Sequence, residues 1–192
     1  MGLSFRELTE SDAEMVGRWR SSERVSKFLN TDVEFNLVRQ IEWIKNSFSR
    51  SDYYHWILSN NGEPVGHVQI CQIDLKKKSA QWGFFIGEES ALGLGAFVPP
   101  LVYSFCFNEL GLEYLEAEVL HINSKVIALH QIHGYQFAPE LDKVVIKNEK
   151  EFLSVGMKLQ SHKFIGSKFD REKAEFPITS WVGCPFALEA TD

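Results

Sequence analysis

Gln81-Trp-Gly-Phe-Phe-Ile-Gly-Glu-Glu-Ser-Ala-Leu-Gly-Leu-Gly-Ala-Phe97 runs from an apolar strand through a glycine loop into a helix. Gln81 to Ile86 is rich in aromatic and β-branched residues and reads as a buried strand. Phe97 to Leu110 carries Leu101, Tyr103, Phe105 and Phe107 and reads as one helix, apolar nearly all round. Pro99 and Pro100 fit its first turn, where N–H groups have no intrahelical partner. Strand, glycine loop and helix together suit an anion, because first-turn N–H groups and the helix dipole both favour negative charge. Gly93 and Gly95 would let a phosphate approach the backbone. A plain tight turn explains the same two glycines. The loop lacks the Lys-Ser/Thr of a P-loop and the third glycine of a dinucleotide fingerprint.

The rest of the chain limits the choices. Its 192 residues suit one domain, and 44% hydrophobic residues against 24% charged exclude global disorder. A net charge of -6 argues against nucleic-acid binding, which needs a basic footprint. Cys71, Cys106 and Cys184 are too far apart for a zinc site or a redox dithiol, and no metal is expected. No apolar signal region opens the sequence and no run reaches the ~20 apolar residues of a membrane span. A cytoplasmic protein without membrane contact is the expectation.

Outward from the loop, the elements follow from local pattern. Leu3 to Leu8 alternates as a first strand, and Thr9-Glu-Ser-Asp12 leads into a helix over Ala13 to Arg20. Arg18, Trp19, Arg20, Arg24 and Lys27 make this region basic, either as a solvated face with one docked tryptophan or as a surface for an anionic acceptor. Asn36 caps a second helix to about Ser49. Its stripe is Leu37, Ile41, Ile44 and Phe48, with Gln40 and Trp43 beside it. Tyr53 to Ser59, Val65 to Ile73 and Gln81 to Ile86 form an antiparallel meander, with Asn60-Asn-Gly-Glu63 as its hairpin turn. Glu113 to Leu120 follows the long helix and so should lie parallel to the strand before it. Asn123 caps a helix ended by Gly134, and a strand from Tyr135 and a hairpin around Asn148 close the sheet. Residues 1–160 form one domain on this reading. Residues 161–192, with Phe164, Phe169, Phe176, Trp181 and Phe186, form an aromatic-rich extension that packs on the body or on a partner chain, leaving a homodimer open.

This order of elements resembles the GNAT acyltransferase superfamily over about residues 3 to 158. Two motifs carry the resemblance. The loop matches the family's spacing at Ser90, Gly93 and Gly95, with Ser90 in place of a basic or amide residue. Asn123-Ser-Lys-Val-Ile-Ala-Leu-His-Gln-Ile-His-Gly134-Tyr135 is similar to the family's Asn…Leu-Tyr-x-x-x-Gly-Phe segment, with His130 in place of the tyrosine. The resemblance implies an α/β fold with a mixed, mostly antiparallel sheet whose two central parallel strands splay into a V. It implies acetyl-CoA as co-substrate: pantetheine along Phe84, Phe85 and Ile86, pyrophosphate on the N–H groups of Leu92, Gly93, Leu94, Gly95 and Ala96, and Asn123 beside the pantetheine. An N–H close to Phe85 would polarise the thioester carbonyl. Glu118 is the candidate base, with Glu116 as alternative, since an ammonium must lose a proton before it can attack. His130 is either an imidazolium donor to the leaving thiolate or a sign that no general acid is present.

Within the superfamily the sequence is similar to the N-acetyltransferases of pseudaminic acid biosynthesis. The residues concerned are Trp19, Arg20 and Val25, Gln40 to Trp43, Leu112 to Leu120, and Val126 to His130. That likeness implies a small acceptor amine on a UDP-linked amino sugar, held by Trp19, Arg20, Arg24 and Gln40. Gln40 stands where that family tends to carry a histidine. Acetylation of a protein N-terminus and a non-catalytic acyl-CoA-binding module are the alternatives.

Overall fold

A computed structural model describes residues 2–31 and 34–178. One eight-stranded sheet runs in the order β1-β2-β3-β4-β5-β8-β6, with β7 on the same side of β8 as β6. The strands are β1 (Leu3–Glu7), β2 (Tyr53–Asn60), β3 (Glu63–Asp74), β4 (Ser79–Ile86), β5 (Tyr114–Leu120), β6 (Gln136–Phe137), β7 (Lys143–Lys147) and β8 (Lys150–Gln160). All pairings are antiparallel except β4 with β5. The β2–β3 turn places Asn61 at φ 52° and Gly62 at φ 89°, the left-handed pair that its sequence demands. Asn148 and Glu149 repeat that geometry between β7 and β8.

The helices are α1 (Ala13–Ser21), α2 (Glu23–Ser26), α3 (Leu37–Phe48), α4 (Val98–Ser104), α5 (Ser124–Ile132) and α6 (Ser161–Phe164). The single helix expected over Phe97 to Leu110 is instead two windings, α4 and then a π-helical turn over Phe105–Glu109, and the glycine loop before it winds as a 3₁₀ segment over Glu89–Ala96. Phe105, Cys106 and Phe107 of the π turn are all buried in the core. Asn36 caps α3 as expected, accepting from Arg39 N at 3.0 Å. Asn123 holds the N-cap position of α5 but makes no side-chain cap bond, so its amide is not spent on the helix.

The two faces of the sheet are covered differently. On one, α4 and the chain after β8 seal a core that includes Trp56, Val68, Ile70, Trp82, Leu115 and Met157. Residues near 176 and 177 belong to this core: Phe176 stacks on Phe5 and Phe105, and Trp56 Nε1 donates to Pro177 O at 2.7 Å. Cys184, Trp181 and Phe186 lie outside the described residues. On the other face, α1 and α3 pack Leu8, Val16, Trp19 and Ile44 against Ile57 and Phe85. Among the described residues no single helix is long and apolar enough to cross a membrane.

Candidate active site

β4 and β5 pair only at Ser79–Tyr114, Ala80–Leu115 and Gln81–Glu116, and then part. From Trp82 onward β4 has β3 on one side and an open V on the other. Gly87 N donates to Val65 O at 2.8 Å, with Ile86 opposite Gly66. Alternation along an antiparallel pair then turns the N–H and C=O of Phe84 and Ile86 away from β3, into the V. Phe85 bonds toward His67 on β3, so the donor expected close to Phe85 belongs to its neighbours.

The helical face brings a set of polar side chains to the mouth of this V. Gln81 and Glu116 are the last paired residues on that face. One step further, Gly83 on β4 and Glu118 on β5 stand on opposite walls of the widening gap. The Glu118 carboxylate is 14% exposed. It meets the Lys143 ammonium and accepts from Asn30 Nδ2 at 3.2 Å. Asn30 also reaches Ser154 Oγ at 3.3 Å. Glu116, two residues back, pairs with Lys158 at 3.3 Å. Nothing in the local pattern marked Asn30 or Lys143, since each meets Glu118 only through the fold.

The four residues expected to hold the acceptor divide. Trp19 is buried against the bare backbone of Gly87, and its indole N–H donates to Glu88 Oε1 at 2.8 Å. Arg24 donates to the carbonyls of Ile86, at 2.9 Å, and Gly87, so its guanidinium holds the end of β4. Arg20 lies 4.8 Å over the Trp43 ring, and its Nε has no hydrogen-bond partner. Gln40 is buried beside Gly17 with Nε2 likewise unsatisfied. A Cβ at Gly87 would sit 2.1 Å from Trp19 Cδ2. Gly87→Ala is therefore expected to displace the indole and destabilise the fold by about 1–3 kcal/mol, read as a lower Tm and altered tryptophan fluorescence.

Below Arg20 a second polar group is sealed in. His55 Nδ1 and His67 Nε2 are 3.0 Å apart, wedged among Trp43, Tyr53 and Phe85. Burial and the nearby Arg20 charge push His67 down to about 3, and burial with His67 as neighbour holds His55 well below its ordinary value.

His130 lies on the far side of the V, 3% exposed. Its Nδ1 is 3.3 Å from the Tyr103 hydroxyl, which is 3.4 Å from His133 Nδ1. Tyr135 completes the group by accepting from Trp82 Nε1 at 2.7 Å. Burial, with His133 beside it, lowers His130 to about 4. At neutral pH it is a neutral imidazole, not the imidazolium that direct proton donation would use.

The loop itself is open. A Cβ at Gly93 would meet nothing within 4 Å, and one at Gly95 only Ile86 and Phe84, at 3.8 and 3.9 Å. Leu92 and Phe97 are exposed beside them. A bare turn next to the V leaves room for the diphosphate end of a nucleotide-bearing thioester, whose arm would bond the backbone groups of Phe84 and the N–H of Ile86, since Arg24 already holds the Ile86 carbonyl. Among the described residues no cluster of His, Cys, Asp or Glu could hold a metal ion.

The family described as "Acetyltransferase (GNAT) domain" matches residues 3–136. Acetyltransferase PseH of Campylobacter jejuni subsp. jejuni serotype O:2 is 21% identical over 159 residues, 83% of this chain and 93% of that protein. Its counterpart from serotype O:23/36 is 19% identical over 164 residues, 85% and 97% of the two chains. Among solved structures, spermidine N-acetyltransferase from Vibrio cholerae in complex with CoA and spermine superposes with a TM-score of 0.77 at 15% identity, covering 85% of this chain and 98% of that one. AAC(6')-Ib in complex with ribostamycin and coenzyme A superposes with a TM-score of 0.71 at 16% identity, covering 88% and 98%.

Proposed function

This chain belongs to the GNAT acetyltransferase family, and from that premise we propose that it transfers the acetyl group of acetyl-CoA to an amino group of a small nucleotide-linked amino sugar. The observation that carries the reading is the parting of β4 and β5 beyond Gln81–Glu116, beside the bare loop at Gly93 and Gly95. The likeness to the two PseH proteins supports the sugar-nucleotide class.

The chemistry follows from the walls of the V. The backbone groups of Phe84 and the N–H of Ile86 hold the thioester arm, and an N–H there stabilises charge developing on the carbonyl oxygen. The loop from Leu92 to Ala96 takes the pyrophosphate, and the uncommitted amide of Asn123 faces the arm. The acceptor enters from the α1–α3 face. Its amine loses a proton to Glu118, directly or through one water, and attacks the carbonyl carbon. The attacking nitrogen, cationic in the tetrahedral centre, gives its second proton to water, the C–S bond breaks, and the amide and a thiolate result. Burial of His130 favours departure of the thiolate without an imidazolium donor. Arg20, whose buried Nε has no hydrogen-bond partner, suits the acceptor's diphosphate, whereas Arg24 orders β4.

A thiol-release assay tests this. Acetyl-CoA is offered with UDP-linked 4-amino sugars, spermidine, an aminoglycoside and short N-terminal peptides. Release with the sugar nucleotides is expected. Release only with peptides or polyamines would refute the substrate class while leaving acetyl transfer in place.

A further inference from the structure

Most described glycines are needed by the fold. A Cβ at Gly66 would lie 2.4 Å from Phe85 O, and one at Gly156 2.4 Å from Leu141, while Gly134 takes φ 97°. Gly83, Gly93 and Gly95 alone have neither a positive φ nor a neighbour closer than 3.7 Å to a built Cβ. Gly93 and Gly95 lie in the loop assigned above to the pyrophosphate. Gly83 lies in the middle of a central strand, where a missing side chain weakens the sheet and gains nothing in packing. Such a glycine marks a place where something outside the chain comes close to the backbone.

The surroundings say what comes close. Gly83 pairs with Gln69 on β3, and its absent side chain points to the α1–α3 face. The Tyr53 hydroxyl donates to Gln69 Oε1 at 3.1 Å, which fixes the amide and leaves Nε2 as the group nearest Gly83. Glu118 stands on the opposite wall of the V. We propose that Gly83 is the floor on which the acceptor's amino-bearing ring rests, and that Gln69, oriented by Tyr53, selects that ring by donating a hydrogen bond to one of its oxygens. A ring hydroxyl or an acetamido carbonyl satisfies such a donor. A polyamine brings only further donors and cannot. The inference rests on the acetyl-transfer reading and narrows its acceptor to an oxygen-bearing ring.

Gly83→Ala adds one methyl to the floor, in ordinary contact with Gln69 and without backbone strain. It is expected to raise the acceptor KM by about tenfold, and Gly83→Val by more, with acetyl-CoA KM unchanged and Tm unchanged or slightly raised. Gln69→Leu is expected to cost the UDP-linked amino sugar about tenfold in kcat/KM and to leave turnover of spermidine, however slow, unaffected. An unchanged acceptor KM in Gly83→Ala overturns the floor, as does a joint fall of Tm and acetyl-CoA affinity. Equal losses on both amines in Gln69→Leu overturn the selecting role. If wild type refuses the sugar nucleotide but acetylates another amine, the substrate class falls, and the KM of that amine in Gly83→Ala still decides the floor. Refusal of every amine overturns both.

Discussion

Glu118→Gln lowers kcat about 10²- to 10³-fold at neutral pH and leaves acetyl-CoA binding intact, if the carboxylate takes the acceptor's proton. Its place supports the role. It is mostly sheltered on the β5 wall of the V, one step past the last β4–β5 pair, with Lys143 and Asn30 both holding its Oε2. The glutamine keeps the size and the bond to Asn30 but cannot accept a proton, so Tm should change little. Activity should return partly as pH rises, because more of the acceptor is then already free amine. A kcat within roughly threefold of wild type, against the 10²-fold or more that general-base loss normally costs, would remove Glu118 from the mechanism. Lys143→Met serves as the comparison. It removes a largely solvent-screened partner, 48% exposed, and a smaller loss carried mainly in KM is expected.

Acid should unfold this protein in a window set by its buried histidines. His67 is lowered to about 3 and His130 to about 4, both chiefly by burial, against about 6.5 for an unfolded imidazole. The fold therefore accommodates the neutral rings. As pH falls below about 6.5 the unfolded chain binds protons that the native state refuses, so stability declines with falling pH. The loss from His130 levels off near its native value of about 4, and that from His67 continues further down. Each ring contributes on the order of 3 kcal/mol by pH 4, and two approach the whole stability of an ordinary domain. The carboxylate of Asp12, held low overall by Arg6 and Thr9 against the opposing effect of burial, matters only below its ordinary value of 3.8, so the windows separate. Tm measured from pH 7 to pH 4 should fall steeply. His130→Leu should flatten the slope whatever it does to Tm at pH 7. A flat profile in the wild-type protein would show that these rings charge freely in place.

Much of the architecture was legible along the chain. The Asn61-Gly62 turn, the Asn36 cap, the Gly134 stop and the alternation of β5 are local signals, readable because each rests on a few neighbouring residues. The site was legible in part. Glu118 and the glycine loop stood out by their positions in recognisable segments. Asn30, Lys143, Tyr53 and Gln69 did not, because nothing in their own neighbourhood distinguishes them from surface polar residues. The helix expected over Phe97 to Leu110 was read as uniform because its composition is uniformly apolar. Its break into α and π windings is not recorded in that composition.

By itself, then, the amino-acid order determined the sequence of elements, the crossover that makes β4 and β5 parallel, and the loop that invites a phosphate. Only the tertiary structure decided where those two strands part and which side chains face each other across the gap. It turned Arg24 onto the carbonyls of Ile86 and Gly87 and laid Arg20 over the Trp43 ring with its Nε unbonded. It also buried His130 and so kept it neutral. The reason is range. Backbone periodicity and turn chemistry act over a few residues. Desolvation, ion pairing and strand register depend on segments tens of residues apart, and no local pattern records which of them will meet.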